Sequence, residues 1–521
     1  MLAAAVALLP LAYLLVRTAG VGPADWFAVV LTERVAWMTV RSLSLAAVVA
    51  AGALVLGAGG AFLVTRTDVP GRRVFAVLAA LPLAVPTYVA AFTWVSVADL
   101  WSSDARFEGF VAAAVVLTLY TYPYVYLPVA AALAGADPGQ EEIARSLGRG
   151  PWRTVWSVTI PQVRPALAGG LLLAVLYVLS DFGAVSILRV DTFTRAVFTA
   201  FGVGFDRVGA LTLASVLLLL TLLVLGIEGR TRRGGARYSR SGGGVRRPPR
   251  ALTLGVWRWP AFAALVSLCL AALGVPALAM ARWLSAGVSR PGSVADVTAA
   301  AAGSLGVAAA GTALTMALAL PLGVLAARHA GRLSAALERA AYLAHSLPGV
   351  VVGLSLVFFG IAVVRPLYQT TWLLALGYAT LFLPLGVAAV KGAAAQAPPS
   401  LEEVAQSLGH TPWRAFWRVT VPLTMPGIGA GAGMVFLTIM KELPATLMLR
   451  PTGLDTLATE LWAATTVQRY AEAAPYALLL VLLSALPTWY LATRSGAVPA
   501  RPGAGPAASG GMPASRAMVD A

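Results

Sequence analysis

Asp181 and Glu442 are the residues that most ask for a chemical role, because each stands inside an apolar run, YVLSDFGAVSILR and LTIMKELPATLMLR. An acid at membrane depth is expensive and usually faces a pathway, a proton relay or a charged partner. Two roles are open for the pair. They can flank a translocation route and offer a negative field to a cationic solute, or they can be neutralised internally, Lys441 pairing with one acid while Arg189 or Arg450 reaches for the outer surface. Other chemistry lacks its parts. Three histidines (His329, His345, His410) and one cysteine, Cys269, leave little for zinc or haem and exclude a thiolate cluster. No His, Tyr or carboxylate cluster has ligand spacing, so no metal site and no cofactor is expected. The chain has no G-x-x-x-x-G-K-[ST] phosphate loop, no H-E-x-x-H and no nucleophile elbow, so it reads as a non-enzyme that draws its energy from a partner.

The elements that must position these acids follow from composition. Of 521 residues, 59% are apolar and 12% charged, against roughly 45–50% and about 25% in a soluble domain. Such a chain is expected to be an all-α polytopic membrane protein, each long apolar stretch satisfying its own backbone as a helix in lipid. Apolar stretches of about 20 residues, enough to cross a roughly 30 Å hydrocarbon core, centre near residues 10, 53, 86, 120, 177, 218, 268, 314, 350, 380, 437 and 482. These are twelve expected spans. The first lacks a basic leader and a clear cleavage site, and is expected to stay as a helix. The net charge of +16 sorts by loop: about two thirds of the 38 bases fall on one side, including Arg66, Arg145, the run between Arg230 and Arg250, Arg328 and Arg414. By the positive-inside rule that side is cytoplasmic and both termini lie there. The charge therefore marks topology and a lipid bilayer as partner, with no nucleic acid.

The same sequence occurs twice. EEIARSLGRGPWRTVWSVTIPQVRP at 141–165 returns as EEVAQSLGHTPWRAFWRVTVPLTMP at 402–426, an offset of 261 that also brings Asp181 onto Glu442 and Arg189 onto Arg450. Upstream, Ser42 and Arg66 match Ser304 and Arg328 at 262, whereas Pro128 and Pro384 differ by 256. Six spans are therefore used twice, in one orientation. The expected organisation is a first repeat at 1–229 with a cytoplasmic loop at 137–165, and a basic, glycine-rich linker at 230–256. A second repeat follows at 257–495 with its loop at 398–426, and then a disordered cytoplasmic tail at 496–521.

Each repeated loop encodes a short helix. Asp137-Pro138, or Ser400 with Glu403, starts it, and Gly148 or Gly409 stops it. A second helix is expected from Pro151 or Pro412, carrying Trp152 and Trp156, or Trp413 and Trp417, along the lipid interface until Pro161 or Pro422 ends it. Glu-x-Ala-x-x-x-Gly followed by Pro, seen as Glu142, Ala144, Gly148, Pro161 and as Glu403, Ala405, Gly409, Pro422, resembles the EAA loop of permease subunits of ABC-type importers. Ile143 and Val404 stand where that family most often has alanine.

The resemblance implies that these short helices are coupling helices for two copies of a cytoplasmic ATP-binding subunit. Small Ala144 and Ala405 would enter the partner's groove, Gly148 and Gly409 turn out of it, and Glu142 and Glu403 offer charge. It also implies a prokaryotic plasma (inner) membrane location and an extracytoplasmic substrate-binding protein. The fused, twice-six-span form is similar to ferric-iron permeases and to the related thiamine class, and SDFGAVSILRVDTFTRAVFTAF and KELPATLMLRPTGLDTLATELW look like the former. Rival expectations are a proton-coupled secondary transporter with Asp181 and Glu442 as carriers, a small-cation importer other than iron, and a membrane scaffold whose loops merely brace the bundle.

Overall fold

The computed structural model describes residues 1–98, 106–202, 204–232, 251–286, 294–329, 331–345, 347–395, 397 and 399–494. Among them, nine helices are long and apolar enough to cross a membrane, and a tenth crossing is split into Arg72–Ala84 and Thr87–Ala98 with a 97° bend. Two shorter apolar helices, Gly349–Ala362 and Tyr470–Ala485, occupy the last two expected positions. The fold is all-α. The one β feature among the described residues is a bridge between Thr67 and Leu252.

The expected stop at Pro161 and Pro422 does not occur. Pro151–Ser180 and Pro412–Met440 each run on as one membrane-length helix. Just before each proline the helix widens into a single π turn, Val155–Thr159 and Phe416–Thr420. A proline lacks the N–H of the i−4 hydrogen bond and its ring clashes with that carbonyl; the wider turn removes both conflicts, so the helix survives. The four tryptophans remain exposed on the first turns of these long helices, at the depth where indoles favour the headgroup region.

The opposite holds for the acids, whose apolar runs read as parts of membrane crossings. The long helices end at Ser180 and Met440, and short helices restart at Gly183–Ile187 and Pro444–Leu449. The crossing two before each is broken as well, at Pro86 in the first repeat and at Pro348 in the second, so Thr87–Ala98 and Gly349–Ala362 begin beside the acids. Each repeat thus places two helix starts near the middle of the bundle. The backbones approach closely there: a Cβ on Gly183 would lie 2.6 Å from Tyr88 Cβ, and one on Gly349 would lie 2.7 Å from Glu442 Oε1, as expected where small residues admit a neighbouring helix.

The two repeats exchange their first helices. Ala3, Ala4 and Ala7 of Leu2–Ala19 pack into a cluster with Leu318, Leu322, Leu337 and Leu383 of the second repeat, and Tyr13 Oη donates to the Phe358 carbonyl at 3.1 Å. Conversely, Leu265 and Cys269 of Gly255–Ser285 pack against Val64, Val69 and Phe75 of the first repeat.

The linker expected at 230–256 is shorter at both ends. The helix Arg207–Arg232 runs into it, and its far end is pinned where Leu252 N donates to the Arg66 carbonyl at 2.7 Å and Leu254 N to Asp68 Oδ1 at 2.9 Å. Residues 233–250 and the expected tail at 496–521 lie outside the described residues.

Candidate functional site

Both repeated loops fold as their residues dictate. Asp137 caps Pro138–Ser146 by accepting from Gly139 N at 2.9 Å, and the second loop forms Pro399–Ser407. Gly148 and Gly409 then turn the chain with φ of +80° and +86°, a conformation that costs other residues roughly 1–2 kcal/mol. Glu142 and Glu403 are exposed, beside Ile143 and Leu147 in one helix and Val404 and Leu408 in the other. Ala144 and Ala405, expected to enter a partner's groove, instead face inward and are buried at 5% and 6% exposure. Their small size lets the loop helix lie close on its own bundle. The face left outward is apolar with a carboxylate at its edge.

What fixes that orientation is the preceding glutamate, which sequence reasoning missed. Glu141 is buried and takes a hydrogen-bonded ion pair from Arg66, with Thr159 Oγ1 donating to it at 2.7 Å. In the second repeat, Arg328 Nη2 donates to Glu402 Oε1 at 2.5 Å and Thr420 donates to the same oxygen. Each triad clamps the loop helix to the end of one membrane helix and the π turn of another. The signal was available: Arg66 and Arg328 match between repeats, and both loops begin with a glutamate doublet.

Burial by itself would raise the Glu402 carboxyl, but the hydrogen bonds from Arg328 and Thr420, with the charge of Arg328, outweigh it and hold it below its ordinary value of 4.5. A depressed folded value means that the stabilisation is complete above the unfolded value and is lost as pH falls through the folded one. Protease cleavage within 399–409 should therefore stay flat down to about pH 4.5 and rise below it, while Glu402→Gln should abolish that acid step. A rise already present near neutrality would contradict the assignment.

Asp181 and Glu442 share a second arrangement. Asp181 Oδ1 accepts from Ala184 N and Val185 N at 3.0 and 3.2 Å, and Thr87 Oγ1 donates to Oδ2 at 2.5 Å. Glu442 accepts from Ala445 N at 3.0 Å and from both Thr446 N and Oγ1, at 2.9 and 2.8 Å. Each carboxylate caps the short helix that restarts after it, where exposed N–H groups and the helix dipole favour an anion. Lys441 Nζ donates to the Leu83 carbonyl at 3.2 Å rather than to either acid. Arg189 pairs with Glu108 at 3.5 Å and Arg450 with Asp455 at 2.7 Å.

Both acids and Lys441 line one cavity of about 280 Å³, walled by Thr87, Tyr124 and Tyr177 on one side and by Gly349, Thr438 and Pro444 on the other. A larger vestibule of about 750 Å³ lies beyond it, lined by Arg106, Glu108, Arg189, Arg195, Trp462 and Gln468. Phe182 lines both spaces and packs against Phe198 and Trp462, with ring centroids 4.6 and 5.1 Å apart. Among the described residues no group of three His, Cys, Asp or Glu could hold a metal ion.

A bundle of duplicated, broken crossings around a central cavity, with one loop helix per repeat turned outward, defines a membrane permease. The chain belongs to the family of binding-protein-dependent transport system inner membrane components, whose model matches residues 53–233 and 319–492. It is the permease subunit of an ABC-type importer and a multi-pass membrane protein. It is 36% identical over 486 residues to the Fe(3+)-transport system permease protein FbpB 2 of Haemophilus influenzae, covering 93% of this chain and 95% of that protein. The sulfate transport system permease protein CysT of Escherichia coli is 29% identical over 42% of this chain and 84% of its own length. The molybdenum transport system permease protein ModB of Mycobacterium tuberculosis is 33% identical over 35% of this chain and 74% of its own. Relatives of that size span about one repeat, in keeping with a duplicated chain.

Proposed function

We propose that this permease carries ferric iron, delivered by an extracytoplasmic binding protein, and is driven by two copies of a cytoplasmic ATP-binding subunit seated on Pro138–Ser146 and Pro399–Ser407. Full-length similarity to an Fe(3+)-transport permease carries the choice of iron. Asp181 and Glu442 line the route, and both termini face the cytoplasm with the arginine-rich loops. Two outward, apolar loop helices on matched brackets suit two equal docking sites. Glu142, Gly148, Glu403 and Gly409 form the contact and its turn, while Ala144 and Ala405 seat the helix from behind. The carboxylates' work as caps of buried helices accounts for their position without a proton-carrying cycle.

The test is uptake of radioactive ferric iron into proteoliposomes holding this chain, its ATP-binding subunit and the loaded binding protein. ATP-dependent accumulation of iron is expected. Transport of thiamine, sulfate or molybdate in place of iron would overturn the substrate. Gly148→Val with Gly409→Val meets open space but a left-handed backbone, at a cost of roughly 1–2 kcal/mol each. The double variant should lose uptake while the partner still hydrolyses ATP, and retained uptake would remove the docking assignment.

A further inference from the structure

Lys441 lines the central cavity from the second repeat, yet its side chain is held by the first. Its Nζ donates to the Leu83 carbonyl at 3.2 Å, and Tyr88 Oη donates in return to the Lys441 carbonyl at 3.5 Å. Leu83 lies in the short turn Leu81–Ala84 just before the break at Pro86, and Lys441 ends the helix Val421–Met440. The two contacts therefore tie the end of a second-repeat helix to the broken crossing of the first. The duplication supplies no mirror image of this tie: Ser180 stands at the position of Lys441 and Val350 at that of Tyr88, the one too short for the reach and the other without a hydroxyl. Asp181 and Glu442 line the same cavity, but their oxygens accept from Thr87, Ala184 and Val185, and from Ala445 and Thr446. Those donors are hydroxyls and helix-start N–H groups, which offset the carboxylate charge. An ammonium has three N–H donors, and Lys441 directs one to a neutral carbonyl rather than to either acid. Phe182 is the apolar boundary toward the vestibule, and Lys441 is the cation in the space behind it.

We propose that Lys441 is a selectivity-determining residue, a charge barrier that keeps free cations out of the central cavity while the two repeats are tied. A fixed charge beside a narrow route rejects ions of like sign, whatever their size. At an effective dielectric constant of about 20, a unit charge within about 10 Å of a passing monovalent ion changes its population about tenfold. A route lined by two acids needs such a barrier, because it would otherwise conduct the commoner cations whenever its apolar boundary lapsed. The barrier is also conditional. The carbonyl that seats the ammonium belongs to the first repeat, so movement of one repeat against the other withdraws Lys441 from its place and opens the cavity only then. The inference concerns ions that no binding protein delivers, and it holds whichever solute the importer carries.

The test measures the potassium-to-chloride permeability ratio of proteoliposomes holding the full chain, from dilution potentials, with Phe182→Ala in place to open the apolar boundary. Adding Lys441→Met should shift the ratio toward potassium by about tenfold or more. Lys441→Gln, neutral but polar, should shift it in the same direction, and Lys441→Arg should leave it where Phe182→Ala alone sets it. Thermal unfolding of each variant is followed alongside. A merely structural lysine would raise both permeabilities together, with lower stability and an unmoved ratio, and that result overturns the barrier. Vesicles that stay tight to potassium with Phe182→Ala and Lys441→Met combined overturn it as well, because both obstacles are then gone. A shift in Lys441→Arg as large as in Lys441→Met would show that side-chain shape rather than charge decides, and overturns it too.

Discussion

Replacing Arg66 with Met should destabilise the purified chain by about 3–5 kcal/mol, the cost of leaving one partner of a buried ion pair without the other. Arg66 is 1% exposed and Glu141 3%, so Glu141 would keep a charge it cannot hydrate. Thr159 and the longer, partly exposed pair with Arg145 at 3.7 Å do not replace the lost arginine. Removing the charge too, in Arg66→Met with Glu141→Leu, should recover most of the loss, because two apolar side chains carry no desolvation penalty. The matching Arg328→Met should cost clearly less, since the side chains of Arg328 and Glu402 are 20% and 15% exposed and water can reach the orphan. Thermal unfolding in detergent measures all three. Equal losses at the two sites would show that burial is not the source of the effect. Both single variants should also loosen the loop helix, and their iron uptake should fall further than their stability.

The second large effect belongs to Phe182. It is 2% exposed and is the side chain common to the vestibule and the central cavity, wedged by Phe198 and Trp462. Truncation to Ala should cost about 3–5 kcal/mol through the void left behind. More tellingly, it joins the two spaces into one. Proteoliposomes carrying Phe182→Ala should leak small ions without ATP or binding protein, whereas Phe182→Leu, which still fills the passage, should leak far less. Vesicles as tight as wild type would show that the barrier lies elsewhere.

The sequence was legible wherever one residue type in one register decides the outcome. Apolar runs gave the crossings, the offset of 261 gave the repeat, and Gly148 and Gly409 marked the left-handed turns. It was not legible where neighbours choose between two local options. Pro161 and Pro422 read as helix ends, and the π turns that rescue them leave no mark in composition. Glu141 and Glu142 differ by one position, about 100° of helix rotation; only the location of Arg66 decides which of them turns inward. Asp181 and Glu442 read as acids within helices because helix restarts at Gly183 and Pro444 look the same as kinks.

The exchanged first helices bear on how such a molecule can be made and moved. During synthesis Leu2–Ala19 enters the bilayer long before the surface formed by Leu318, Leu322 and Leu383 exists. That helix therefore waits without this packing surface until the second repeat is inserted. In the finished protein each half carries a strut belonging to its neighbour. Rigid separation of the halves would have to drag those struts along or tear them free.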